Sequence, residues 1–167
     1  MTLPPFQSLL DSHGRDVHRF LAAIVGPLDA DDCYQETWIA ALRAYPRLRN
    51  SSNLRGWLLT IAHRKAIDSI RSRRRAASPC GDVVQLDAAS GSDGGGVLTE
   101  RSAAGGLGDE VWDLVRRLPD KQRTALTLRY VLDADYPLIA STMGISPPAA
   151  RRNVHEALKR LRSEYER

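Results

Sequence analysis

The chain has 167 residues, 43% of them hydrophobic, enough for one core or two small ones. Lys and Arg number 24 against 20 acidic residues, a net charge of +4 that suits a polyanionic partner without requiring one. Cys33 and Cys80 lie far apart without metal-ligand spacing, no apolar run approaches a membrane span, and the N-terminus lacks a signal peptide's basic and apolar regions. A disulfide framework, a cysteine metal site and membrane insertion are therefore not expected, and a reducing cytoplasm is the simplest compartment.

Residues 6–25 place Phe6, Leu9, Leu10, His13, Val17, Phe20, Leu21 and Ile24 at three-and-four spacing, which predicts an amphipathic helix with His13 packed in its stripe. Gly26 and Pro27 end it. Residues 29–45 predict a second helix, with Asp29, Asp31 and Asp32 at the start, where the dipole favours negative charge. Cys33, Trp38, Ala41, Leu42 and Tyr45 supply its apolar surface. Asp32, Gln35 and Glu36 fall on the other side, either as helix-start stabilisers or as a docking patch for a basic partner. Residues 46–53 (PRLRNSSN) cannot be helical throughout. They form a surface loop, or a polar pocket for an extruded base, since Asn and Ser can read a base edge.

Residues 54–75 predict a third helix, with Leu54, Leu58, Ile61, Ala62, Ala66 and Ile70 buried. Trp57 is either core or a stacking platform. Arg55, His63, Arg64, Lys65, Arg71, Arg73, Arg74 and Arg75 make the remainder basic. The run RSRRR at 71–75 is dense for a solvated face and points to phosphate contact. Residues 76–108, rich in Gly, Ser and Ala and more acidic than basic, are expected to be a flexible linker. A short helix at 109–118 turns Val111, Leu114, Val115 and Leu118 inward, Pro119 breaks it, and another at 121–132 buries Ala125, Leu128 and Leu132.

Residues 134–162, ADYPLIASTMGISPPAARRNVHEALKRLR, read as a helix-turn-helix. Leu138, Ile139 and Met143 share one side of the short first helix, and Ala140 sits where the helices touch. Gly144 ends that helix in the left-handed conformation, Ile145 plugs the corner, Ser146 caps the second helix and Pro147 suits its first position. Ala150, Val154, Ala157, Leu158 and Leu161 form the buried stripe. Arg152, Asn153, Glu156 and Lys159 lie away from it, with Arg151 and His155 at its edge, a set suited to a major groove. No phosphate loop, nucleophile motif or metal-spaced acid pair is present, so no catalytic residue, metal or cofactor is expected and the chain is not read as an enzyme. The expected fold is all-α: two small helical domains, 1–75 and 109–167, joined by the linker 76–108, the second ending in the helix-turn-helix.

In order, the segments DADDCYQETWIAALRAYPRLR, NLRGWLLTIAHRKAIDSIRSRRR and LPDKQRTALTLRYVLDADYPLIASTMGISPPAARRNVHEALKRLR resemble regions two and four of bacterial sigma-70 family sigma factors, specifically the extracytoplasmic-function (ECF) group. The resemblance spans nearly the whole chain. It implies that the chain binds core RNA polymerase, directs it to −35 and −10 promoter elements and helps melt the promoter. It assigns Asp32, Gln35 and Glu36 to the clamp helices of the polymerase largest subunit, with the flap region as a further contact. Arg49, Asn50, Ser51, Ser52 and Asn53 would capture a flipped −10 base, while His63, Arg64 and Arg71 approach the −10 duplex. Arg151, Arg152, Asn153, His155, Glu156 and Lys159 would face the −35 element. A separate anti-sigma factor is a further implied partner. Arg64 stands where the family often has Asn, Asp133 where Gly is common, and Pro147-Pro148 where a pair such as Glu-Gly is usual. The competing reading is a stand-alone helix-turn-helix regulator whose N-terminal helices sense or dimerise; it predicts duplex binding without polymerase.

Overall fold

The computed structural model describes residues 3–77 and 107–166. Most of the predicted linker, with Cys80 and its acidic residues, lies outside them. Among the described residues seven α-helices follow one another: α1 Phe6–Val25, α2 Pro27–Ala44, α3 Leu54–Ala77, α4 Leu107–Arg117, α5 Asp120–Tyr130, α6 Tyr136–Met143 and α7 Pro147–Tyr165. A 3-10 turn at Tyr45–Arg47 follows α2. Helix α2 starts two residues before the predicted position because Pro27 occupies its first turn, where a missing N–H costs nothing. Helices α3 and α4 both intrude on the segment read as linker.

The first module packs α1, α2 and α3 on one another. Phe20, Leu21, Ile24, Leu58 and Leu59 are among its fully enclosed side chains. Burying each such side chain contributes about 1.5–3 kcal/mol. Phe6 lies edge-on to Trp38 at 5.7 Å and to Tyr45 at 5.3 Å. The Tyr45 hydroxyl donates to the Pro4 carbonyl, tying down the N-terminus. Trp57 tilts against Tyr45 at 6.1 Å and is half-buried against the core. Burial pushes the Cys33 thiol above its usual value, with the Ser69 side chain opposing; a thiol kept protonated in this way is a packing group. Leu42, predicted inward, is 55% exposed, because Cys33, Thr37, Trp38 and Ala41 already fill the inner face of α2.

The second module is built around α5, which touches α6 and α7 and also α1 of the first module. Arg123 through Leu128 are all buried, so the helix has no solvent stripe over those residues. Val115, Leu118, Leu126 and Ala157 form a small local core with Leu161 against it. Val111, predicted inward, is exposed. Arg123 is held by the Arg116 carbonyl at 3.0 Å and by Asp120 at 2.6 Å. Burial pulls its guanidinium below the usual value and Asp120 opposes the shift.

The two modules are in contact. Ala125, Leu128, Leu132, Ile139, Ala150 and Val154 belong to the same continuous apolar cluster as Leu9, Phe20 and Leu58. Helix α3 packs on α6, and α1 on α5. Polar ties reinforce this seam. Arg55 pairs with Asp16 at 3.2 Å and donates to the Leu132 carbonyl at 2.5 Å. Arg74 reaches Asp120 through both its terminal nitrogens, at 3.0 and 3.1 Å. The expectation of two small domains separated by a linker therefore gains a feature the sequence did not show, a shared core.

Candidate nucleic-acid interface

Helix α2 turns Asp32, Gln35 and Glu36 outward, and all three are exposed. Ile39, half exposed, continues that face by one turn. Glu36 lies 3.7 Å from Lys65 of α3, so the acidic patch adjoins the basic helix. Asp29 is different: it pairs with Arg73, which also donates to the Val25 carbonyl, and so serves the fold.

The loop between the 3-10 turn and α3 presents Arg49, Asn50, Ser52 and Asn53 to solvent, with Ser51 half-buried. Its shape comes from its own amides. The Asn50 side chain accepts from the Ser52 N–H at 2.9 Å, an Asx turn. Asn53 accepts from the Gly56 N–H at 2.8 Å and so caps α3. A Cβ at Gly56 would stand 2.6 Å from the Asn53 amide nitrogen, so a side chain there would displace the capping amide. The loop is thus braced while the amide nitrogens of Asn50 and Asn53 stay available.

On α3, Arg64 and Arg71 stand two turns apart and exposed. His63 is half-buried, with its Nδ1 enclosed and without a hydrogen-bond partner. Burial, aided by Arg64, lowers its pKa, so the ring is neutral near pH 7. The arginine run divides: Arg73 and Arg74 are engaged inside the molecule, whereas Arg71 and Arg75 form no ion pair among the described residues.

The helix-turn-helix has the expected joints. Asp135 caps α6 by accepting from the Leu138 N–H at 2.8 Å, a role the sequence reading missed although an Asp before Tyr-Pro at a helix start is its signature. Gly144 closes α6 at φ 65°, where a Cβ would be strained. Ser146 caps α7. Asp133 also has a positive φ, 51°, a conformation that glycine would adopt without a steric cost. On α7, Arg151, Arg152, His155 and Lys159 are exposed, while Asn153 and Glu156 are half-buried. The Asn153 amide donates to the Ala149 carbonyl at 3.0 Å, which turns it back onto its own helix. Leu158, predicted on the buried stripe, is 38% exposed; it lines a shallow groove with His155, Lys159 and Arg162.

One chain therefore offers an acidic face, a braced polar loop, a basic helix and a helix-turn-helix with a capped second helix. Among the described residues no helix is long and apolar enough to cross a membrane. The family model for Sigma-70 region 2 matches residues 9–76, and that for Sigma-70 region 4 matches 108–161. The chain is 32% identical to the RNA polymerase sigma factor CarQ of Myxococcus xanthus over 94% of its own length and 87% of that protein. It is 25% identical to the ECF RNA polymerase sigma factor SigX of Bacillus subtilis, over 96% and 84%. Its fold is similar to that of the sigma factor RpoE of Bartonella quintana, solved with the anti-sigma factor NepR, at a TM-score of 0.75 and 21% identity, covering 96% of both chains. CnrH, solved with the cytosolic domain of CnrY, gives a TM-score of 0.67 at 19% identity, covering 96% and 87%. With both regions matched in order and relatives aligned almost end to end, this chain belongs to the sigma-70 family of RNA polymerase sigma factors, in the ECF group.

Proposed function

We propose that the residues described above divide the work of an ECF sigma factor among them. Binding core polymerase, choosing promoters and melting them follow from the family; the residue assignments are this chain's own. Asp32, Gln35 and Glu36 dock on the clamp helices of the largest polymerase subunit, and the second module meets the flap region. Arg49, Asn50, Ser51, Ser52 and Asn53 receive a base flipped from the −10 element. Unstacking costs a few kcal/mol per step, and a preformed pocket offsets part of it. Arg64 and Arg71 take the adjoining phosphates, with neutral His63 packed behind them. Arg152, His155 and Lys159 face the −35 element. Asn153 and Glu156 border that surface, and Asn153 contributes there chiefly by bracing α7. A separate anti-sigma protein covering these faces, like those solved with the fold relatives, is the implied regulator, and the site of action is the cytoplasm.

The observation that carries this reading is the outward acidic face of α2 beside the basic α3. An exposed pair such as Glu36–Lys65 is worth at most about 1 kcal/mol, so reversing the patch leaves the fold intact. Like charges brought together across an interface cost several kcal/mol, however. Asp32→Lys with Glu36→Lys is therefore expected to weaken binding to purified core polymerase by more than about tenfold, with an unchanged circular dichroism spectrum and melting point. Unaltered core affinity would remove the docking assignment.

A further inference from the structure

Two arginines tie the ends of α3 to the second module. Arg55, in its first turn, donates to the Leu132 carbonyl, and Arg74, in its last, pairs with Asp120. They stand about 28 Å apart along the helix axis. At about 100° per residue, Leu59, His63, Ala66 and Ile70 all fall on the arc of α3 between them. Leu59, Ala66 and Ile70 are buried in the apolar cluster that also holds Ile139 and Ala140 of α6, so this is the arc that the second module covers. Of these four side chains His63 alone can be ionised.

The surroundings of His63 do not suit a charge. Its Nδ1 is enclosed and has no hydrogen-bond partner. A neutral ring with its proton on Nε2 tolerates that, but a protonated ring puts a second N–H there with no acceptor. On its own helix the charge acting on it is Arg64, and burial together with that arginine lowers its pKa. Helix α6 carries no acid or base except the Tyr136 phenol. On α1, Asp16 is engaged by Arg55, and His13 lies beside the same arginine. On α2, Asp29 is engaged by Arg73 and Glu36 by Lys65. On α5, Asp120 is shared by Arg74 and Arg123.

We propose that His63 makes the seam between the modules a proton-operated latch: with its ring neutral α6 stays on α3, and protonation releases the second module. In an open chain the ring returns to water and binds a proton near its ordinary value of 6.5. The closed chain binds that proton less readily, so closure is fully favoured above pH 6.5. Below it the opening constant rises by up to about tenfold per pH unit, until the value of the closed form is reached. Opening matters on the reading above, because α3 and α7 serve separate promoter elements and one packed body holds them at a fixed distance. The latch goes beyond those assignments. Its test needs neither polymerase nor promoter, so its failure would leave them standing.

The full chain is labelled with dyes at Arg43→Cys and Ser163→Cys, with Cys33 and Cys80 replaced. Energy transfer and far-UV circular dichroism are followed together from about pH 7.5 to about pH 5. Transfer is expected to fall as pH drops below 6.5, with helix content unchanged. His63→Gln and His63→Leu, which carry no charge at any pH in this range, should hold transfer high throughout. His13→Gln should open as the parent does. The latch is overturned if transfer in the parent is indifferent to pH, if it falls equally in His63→Gln, or if His13→Gln alone abolishes the fall. It is also overturned if helix content is lost in step with transfer, which would make His63 a prop of the first module instead of a latch.

Discussion

Asn53 caps α3 and, on the proposed reading, receives a flipped base, and one substitution series separates the two roles. Its side-chain oxygen accepts from the Gly56 N–H at 2.8 Å and its carbonyl from the Trp57 N–H at 3.1 Å, so it begins the basic helix. Asn53→Ala leaves an orphaned N–H in the first turn and is expected to cost about 1 kcal/mol, within the 0.5–2 kcal/mol range of lost caps. For a chain of this size that lowers the melting temperature by about 2–4 °C. Asn53→Ser keeps a capping oxygen and should stay within a few tenths of a kcal/mol of the wild type. It removes the amide donors offered to a flipped base. Melting curves and the fluorescence of 2-aminopurine placed in the −10 element read the two effects side by side. The alanine variant should lose stability and promoter opening; the serine variant should lose opening alone. An unchanged melting point for Asn53→Ala would refute the cap, and full opening with Asn53→Ser would refute the base-capturing role.

Other expectations follow from the same coordinates. His13 and His63 both sit below the ordinary value of 6.5, chiefly through burial, with Arg55 and Arg64 adding to the respective shifts. The unfolded chain takes up protons that the folded chain resists, so this stabilisation is whole above pH 6.5 and is lost as pH falls below it towards the folded values. The melting temperature should drop on acidification through that window, and less steeply in His63→Gln; equal slopes would contradict the assignment. Asp133→Gly relieves a left-handed residue at φ 51° and should raise the urea midpoint, by up to about 1 kcal/mol of stability after the greater freedom of glycine in the unfolded chain is offset. A lower midpoint would mean that the Asp133 side chain contributes more than its backbone costs. The seam between the modules is apolar with ionic ties at its edges. Energy transfer between dyes at Arg43→Cys and Ser163→Cys, with Cys33 and Cys80 replaced, should therefore persist in about 1 M salt, where exposed ion pairs are screened beyond about 3 Å. Loss of transfer would show that charge alone joins the modules.

The helices were legible because their apolar residues recur at three-and-four spacing, and the helix-turn-helix was legible down to its joints at Ala140, Gly144 and Ser146. These are local rules, and local rules survive folding. Features that depend on what packs against what were not legible. Arg123, Thr124 and Thr127 are buried because neighbouring helices enclose α5, although their polarity suggests a solvent face. The density of the arginine run at 71–75 points to phosphate contact, but Asp29 and Asp120 recruit Arg73 and Arg74 for the fold. On α7 the small residues Ala150 and Ala157 draw the helix close to its neighbours, which leaves Leu158 outside and Asn153 half inside. The acidic patch on α2 needed no tertiary information, since its spacing alone put Asp32, Gln35 and Glu36 together.

Run-off transcription tests the central claim most directly. Purified bacterial core polymerase is given genomic DNA fragments with the wild-type chain, with the Asp32→Lys/Glu36→Lys variant, or with neither. The account predicts discrete transcripts that require the wild-type chain and vanish with the variant, their start sites revealing the −10 and −35 sequences. No protein-dependent transcript, together with no binding to core polymerase, would contradict it.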